Sequence, residues 1–170
     1  TSVGFTGKVN VLEKETKKHL GSVSIFEGEV FNAEYNEQTG LKAFYNIIIE
    51  EFDDKLEFKY VVEPEVVKAE QIIKYPFSVL KRKTAEIVTN YKEQKAQRPP
   101  LGLKLLVEPE FLNNGEEVDE NEYNLLCTLS DYNLVEDLYK HSPMLDYEIT
   151  MALVSLRKKN ALRVIKKRTL

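Results

Sequence analysis

The sequence predicts an α+β fold, a small antiparallel sheet with packed helices followed by a second, helical unit. Three observations predict it. Short alternating runs joined by a Glu27-Gly28 connection mark a hairpin within the first 35 residues. Later stretches carry apolar residues every three or four positions, the spacing of helices with one buried stripe. Asp119-x-x-Glu122 and Asn133-x-x-Glu136 both have the form of capping boxes and mark two helix starts. At 170 residues the chain suits one domain or two small ones. The expected organisation is an α+β domain over residues 1–98, a linker with at most one strand over 99–118, and a three-helix unit with a short strand over 119–170.

Lys8 to Leu12 reads as a strand, ended by the polar stretch from Glu13 to Lys18. Ser22 to Phe26 and Glu29 to Ala33 flank the Glu27-Gly28 turn, so Phe26 is expected opposite Glu29 and Ile25 opposite Val30. Val23, Ile25 and Val30 then share one face while Phe26 and Phe31 point to the other. A free sheet keeps one face polar, so this pattern predicts cover on both sides. Thr39 is the expected N-cap of a helix burying Leu41, Phe44, Tyr45, Ile48 and Phe52. Asp53-Asp54 turns the chain into a further strand over Leu56 to Val61.

These residues resemble the PATAN family. Gly21 to Ala33 follows its signature hairpin: Gly, an aliphatic, an apolar residue, an acidic-Gly turn, an aliphatic, then Ala three residues on. Gly40-Leu41-Lys42-Ala43, Leu56-Glu57-Phe58 and Leu80 to Glu86 continue the likeness, which covers residues 5–90. Its key positions are small or apolar, so the pattern encodes a fold and not a reaction. The resemblance implies a cytoplasmic role beside phosphorelay receiver domains, passing their signal to motility or pilus machinery. The family places a helix before the first strand, so an upstream segment, with a receiver domain as the natural neighbour, is expected beyond Thr1.

Pro64 suits the first turn of a helix with Val66, Ala69, Ile72 and Ile73 inward. After Pro76 a longer helix carries Phe77, Leu80, Thr84, Ile87 or Val88, and Tyr91 on one stripe, and Arg98-Pro99-Pro100 stops it. Lys81, Arg82 and Lys83 lie off that stripe as a solvated face. Leu103 to Val107 reads as a strand and Asn113-Asn114-Gly115 as a surface loop. Of the last three helices, the first buries Tyr123, Leu126 and Leu129 or their neighbours; the second buries Leu134, Leu138 and Tyr139. The third opens at Ser142-Pro143 and buries Ile149, Ala152, Leu153 and Leu156, with Asn160 ending it in the left-handed conformation. Leu162 to Ile165 is a final strand. Helix, turn, helix, helix, strand is the order of a winged-helix unit, a module that PATAN proteins often carry.

Charge divides the chain. Residues 151–170 hold seven basic side chains and no acidic one, while residues 1–150 carry −11, giving −4 in all. Such a tail contacts an anionic partner or folds back on its own acidic body. Nucleic acid is the weaker expectation, because Asp146 and Glu148 occupy the positions a recognition helix presents to phosphates. No apolar run approaches the ~18 residues of a membrane span, and the first residues lack the order of a signal peptide.

No motif for chemistry stands out. His19 sits in a lysine-rich loop and His141 at a helix end, neither with neighbours suggesting a metal or a triad. Cys127 falls among leucines and reads as a small core residue; a lone cysteine allows no internal disulfide and suits a reducing compartment. Glu50-Glu51 with Asp53-Asp54 lacks the spaced ligands and Gly of a calcium loop. Neither a Walker loop nor a dinucleotide fingerprint is present. The reading is therefore a non-enzymatic protein-interaction module with no cofactor or metal, acting on other signalling proteins or as a homodimer. The candidate partner-binding residues are Arg157, Lys158, Arg163, Lys166 and Lys167 in the basic tail, and Phe31 and Tyr35 as apolar contacts.

Overall fold

The computed structural model describes residues 4–53, 56–66 and 70–165. The chain forms two compact units, Thr1–Thr89 and Asn90–Leu170.

In the first unit, β1 (Gly7–Glu13), β2 (His19–Phe26), β3 (Glu29–Tyr35), β4 (Gln38–Thr39) and β5 (Phe58–Pro64) form one antiparallel sheet in the order β4-β3-β2-β1-β5. Glu27 and Gly28 both adopt positive φ, 50° and 85°, the requirement of a tight primed hairpin turn. Phe26 pairs with Glu29 and Ile25 with Val30, as expected. The register then shifts, since Ser24 already faces Asn32. Phe31 is the extra residue of this bulge, and its carbonyl accepts hydrogen bonds from the amides of Ile72 (3.1 Å) and Ile73 (3.0 Å).

The expectation of two apolar sheet faces is overturned by the register. One face carries the row Val62, Val9, Val23, Ala33 and the row Tyr60, Val11, Gly21, Tyr35. The other presents Glu63, Lys8, Ser24 and Asn32, then Val61, Asn10, Ser22 and Glu34, which is largely polar. Phe26 and Phe31 pack on each other at the turn end, ring centroids 5.8 Å apart.

Helix α1 (Gly40–Phe52) lies over the apolar face. Tyr35 Oη donates to Glu50 Oε2 at 2.5 Å and Tyr60 Oη to Glu51 Oε2 at 2.6 Å. Thr39 is the N-cap residue, but its side chain makes no capping bond. Asn32 Oδ1 does so from the adjacent strand, accepting from the amides of Ala33 and Gly40. The buried surface of α1 includes Ala43, Phe44, Tyr45, Ile47 and Ile49; Leu41 and Ile48 are half-buried and Phe52 is exposed. The helix thus buries a broader, rotated face than the predicted stripe.

No helix starts at Pro64. It is the last residue of β5, at the edge of the sheet where a missing N–H is tolerated. Residues 70–76 run without regular structure, with Ile73 buried and Ile72 exposed; Ala69 lies outside the described residues. Helix α2 (Phe77–Lys95) follows the predicted stripe through Leu80, Ile87, Val88 and Tyr91, while Phe77 is exposed.

The second unit comprises β6 (Leu105–Val107), α3 (Pro109–Asn113), α4 (Glu120–Asp131), α5 (Val135–His141), α6 (Asp146–Lys158) and β7 (Leu162–Val164). β6 pairs antiparallel with β7, and Lys104 bridges to Leu134 just before α5. The segment expected as a linker thus contributes a strand and, through Phe111 of α3, a core side chain. Leu125, Leu129, Val135, Leu138, Ile149, Leu153 and Leu156 fill the centre. The Asp119–Glu122 capping box forms in both directions, at 2.8 and 2.9 Å. The Asn133–Glu136 box does not. Leu134 is the N-cap residue of α5, and the amides of Val135 and Glu136 donate instead to the carbonyls of Leu103 and Leu101, so no side-chain cap is needed. Capping turns Glu122 inward, and Leu125 and Leu129 follow it into the core, leaving Tyr123 and Cys127 exposed. Asn160 has φ 57°, the predicted left-handed end of α6.

Candidate functional site

The basic tail is partly used by the fold. Arg157 and Lys158, in the last turn of α6, are exposed. Lys159 turns inward: its Nζ donates to Glu122 Oε2 at 2.7 Å and to the Glu117 carbonyl at 2.8 Å. Glu122 is only 1% exposed. Burial pushes its carboxyl upward, but bonds from Lys159, Ser155 Oγ and the Asp119 amide together hold it below the ordinary 4.5. Arg163, on β7, pairs with Glu108 at 3.5 Å. The tail therefore folds back through Lys159 and Arg163 while Arg157 and Lys158 face solvent. Lys166 and Lys167 lie outside the described residues. Beside Lys159 an open hollow of about 490 Å³ is lined by Glu108, Glu110, Asn114 and Glu116 among others. Its acidic wall balances the tail and does not extend it.

The start of α6 is equally committed. Asp146 pairs with Arg98 at 3.5 Å. The Arg98 guanidinium lies over the Tyr139 ring, 4.1 Å from its centroid, and Tyr139 Oη shares a hydrogen bond with Thr150 Oγ1 at 2.7 Å.

The two apolar candidates part company. Tyr35 is buried at 2% exposure because the Gly21 opposite leaves room for its ring and Glu50 accepts its hydroxyl. It is a core residue and not a contact surface. Phe31 is half-buried against Phe26. His19 Nε2 lies 3.3 Å from Asn10 Oδ1, and His141 stacks on Tyr132 with centroids 4.3 Å apart. Among the described residues, no three His, Cys, Asp or Glu side chains converge as a metal site would require. None of their helices is long and apolar enough to cross a membrane.

A different surface emerges at β5, which sequence reasoning passed over. β5 is an edge strand. Lys14 N–H donates to the Glu57 carbonyl at 2.8 Å. By strand alternation Lys59, Val61 and Glu63 direct their main-chain groups to β1, leaving those of Phe58, Tyr60 and Val62 at the open edge. Tyr60 is 45% and Val62 57% exposed, with Phe52 exposed nearby on α1 and Val66 just beyond the strand. The readable signal was the alternation Phe58, Tyr60, Val62, Pro64 against Lys59 and Glu63. Taking Pro64 as a helix start hid it. Compared with protein-family models, curated proteins and solved structures, the chain matches none.

Proposed function

We propose that the chain is a non-enzymatic bacterial signalling adaptor, a protein-interaction module working in the cytoplasm beside receiver domains or motility and pilus components. The resemblance of residues 5–90 to the PATAN family supplies the setting. The observation that carries the interaction role is β5: a seven-residue edge strand whose outward main-chain groups meet no partner among the described residues, with exposed apolar side chains. Proteins usually blunt such edges, and a strand left open is a template for pairing with another chain. Titrating the full chain with its cognate receiver domain, with and without beryllofluoride as phosphoryl mimic, tests this by calorimetry. The expected result is binding that differs between the two receiver states. Absence of binding to either contradicts the receiver role.

Nucleic acid binding by the second unit is the alternative. The exposed Arg157 and Lys158 favour it, while Asp146 and Glu148 at the start of α6 oppose phosphate approach. Binding curves on duplex DNA that stay flat at low salt dispose of it.

A further inference from the structure

We infer that the free edge of β5 pairs with β5 of a second copy of this chain, antiparallel and centred on Val61. This rests on the interaction reading and names its partner. β5 is written Phe58-Lys59-Tyr60-Val61-Val62-Glu63-Pro64. Turned on itself about Val61, the strand sets Lys59 of one copy opposite Glu63 of the other. The same operation sets Tyr60 opposite Val62, and Phe58 opposite Pro64. Because the arrangement is two-fold, each match occurs twice.

Hydrogen bonding agrees with that register. The outward main-chain groups belong to Phe58, Tyr60 and Val62, so Tyr60 and Val62 of the two copies exchange both N–H to carbonyl bonds. Lys59 and Glu63 then form the non-hydrogen-bonded pairs, where Cα atoms lie about 4.5 Å apart and side chains are closest. Pro64, which has no N–H, meets Phe58 at the end of the ladder and asks only that its carbonyl accept.

The side chains agree as well. Lys59 and Glu63 lie on the polar face with Lys8, Asn10 and Ser22; Glu63 already accepts from Asn10 Nδ2 at 3.0 Å and is exposed. Tyr60 and Val62 lie on the apolar face, and the partner strand extends that face beyond β5. Tyr60 is held by its bond to Glu51, so its ring is placed before pairing. Moving the centre to Tyr60 sets Lys59 opposite Val61 and removes the charge match. Moving it to Val62 sets Lys59 opposite Glu65, beyond the strand, and Tyr60 opposite Pro64, which has no N–H to donate. Charge and donor count together therefore favour the Val61-centred register.

The interface is one strand wide, so a weak, concentration-dependent dimer is expected. Sedimentation of the full chain across a wide concentration range tests it. The wild type should associate reversibly. V62P, which deletes an outward donor without touching the β1 pairing, should weaken association about tenfold or more. K59E should weaken it about tenfold by placing like charges opposite each other twice, and the K59E/E63K double variant should recover it. Circular dichroism and thermal unfolding of the dilute variants exclude a folding defect. A strict monomer at the highest concentration overturns the inference. So does a dimer indifferent to V62P or not restored by the double exchange. A monomer that still binds a receiver domain overturns self-pairing and leaves the interaction reading standing.

Discussion

At the scale of single residues, two positions show how much the fold asks of one side chain. A Cβ on Gly21 meets the Glu34 carbonyl at 2.2 Å and the Tyr35 ring at 2.9 Å. The absence of a side chain lets the buried tyrosine lie across the neighbouring strand. Gly21→Ala should therefore destabilise the first unit by about 2 kcal/mol through overpacking, read as a lower urea midpoint with unchanged slope. Glu122 is the corresponding position of the second unit, closing the first turn of α4 and anchoring Lys159 at once. Glu122→Gln should cost about 2 kcal/mol, the value of hydrogen bonds to a charged group. The carboxyl is held below 4.5 when folded, so the folded state binds its proton less tightly than the unfolded chain does. Its stabilisation is complete above that value and is lost as pH falls through the lowered folded one. Urea unfolding at a series of acid pH values should show a decline in the second unit that E122Q largely removes.

At the scale of elements, what the sequence made legible was the local pattern. The Glu27-Gly28 hairpin and its pairs, the stripe of α2, the Asp119–Glu122 cap and the buried residues of α6 all follow from turn chemistry and periodicity alone. What was illegible depended on partners distant in the chain. Thr39 is relieved of capping by Asn32, the α5 amides by Leu101 and Leu103, and Phe31 is bulged toward Ile72 and Ile73. Pro64 belongs equally to a first helical turn and to an edge strand, and only the pairing with Gly7 decides. Of the candidate contacts, Arg157 and Lys158 are exposed as expected, whereas Tyr35 is a core residue of β3. The buried stripe of α6 gives a prediction at this scale. Ile149→Ala, at a fully buried position, should destabilise the second unit by about 3 kcal/mol, measured by equilibrium unfolding, whereas Met151→Ala on the exposed side should change it little.

At the scale of the whole molecule, net charge misleads. The basic tail reads as a binding patch, yet Lys159 and Arg163 are spent on Glu122 and Glu108. A surface with unfilled bonding capacity is instead the edge strand β5 of the first unit, which charge counting never points to. Free main-chain groups, exposed Tyr60 and Val62, and the opposed signs of Lys59 and Glu63 all occur within those seven residues. Lys59, Val61 and Glu63 are bonded to β1 in the lone chain, while Tyr60 and Val62 are not.

Amide hydrogen exchange along β5, followed residue by residue by NMR in dilute and in concentrated protein, reads that alternation directly. The account predicts fast exchange at Tyr60 and Val62 when dilute and clear protection of both when concentrated, with Val61 protected throughout. Exchange at Tyr60 and Val62 that is unchanged by concentration contradicts it.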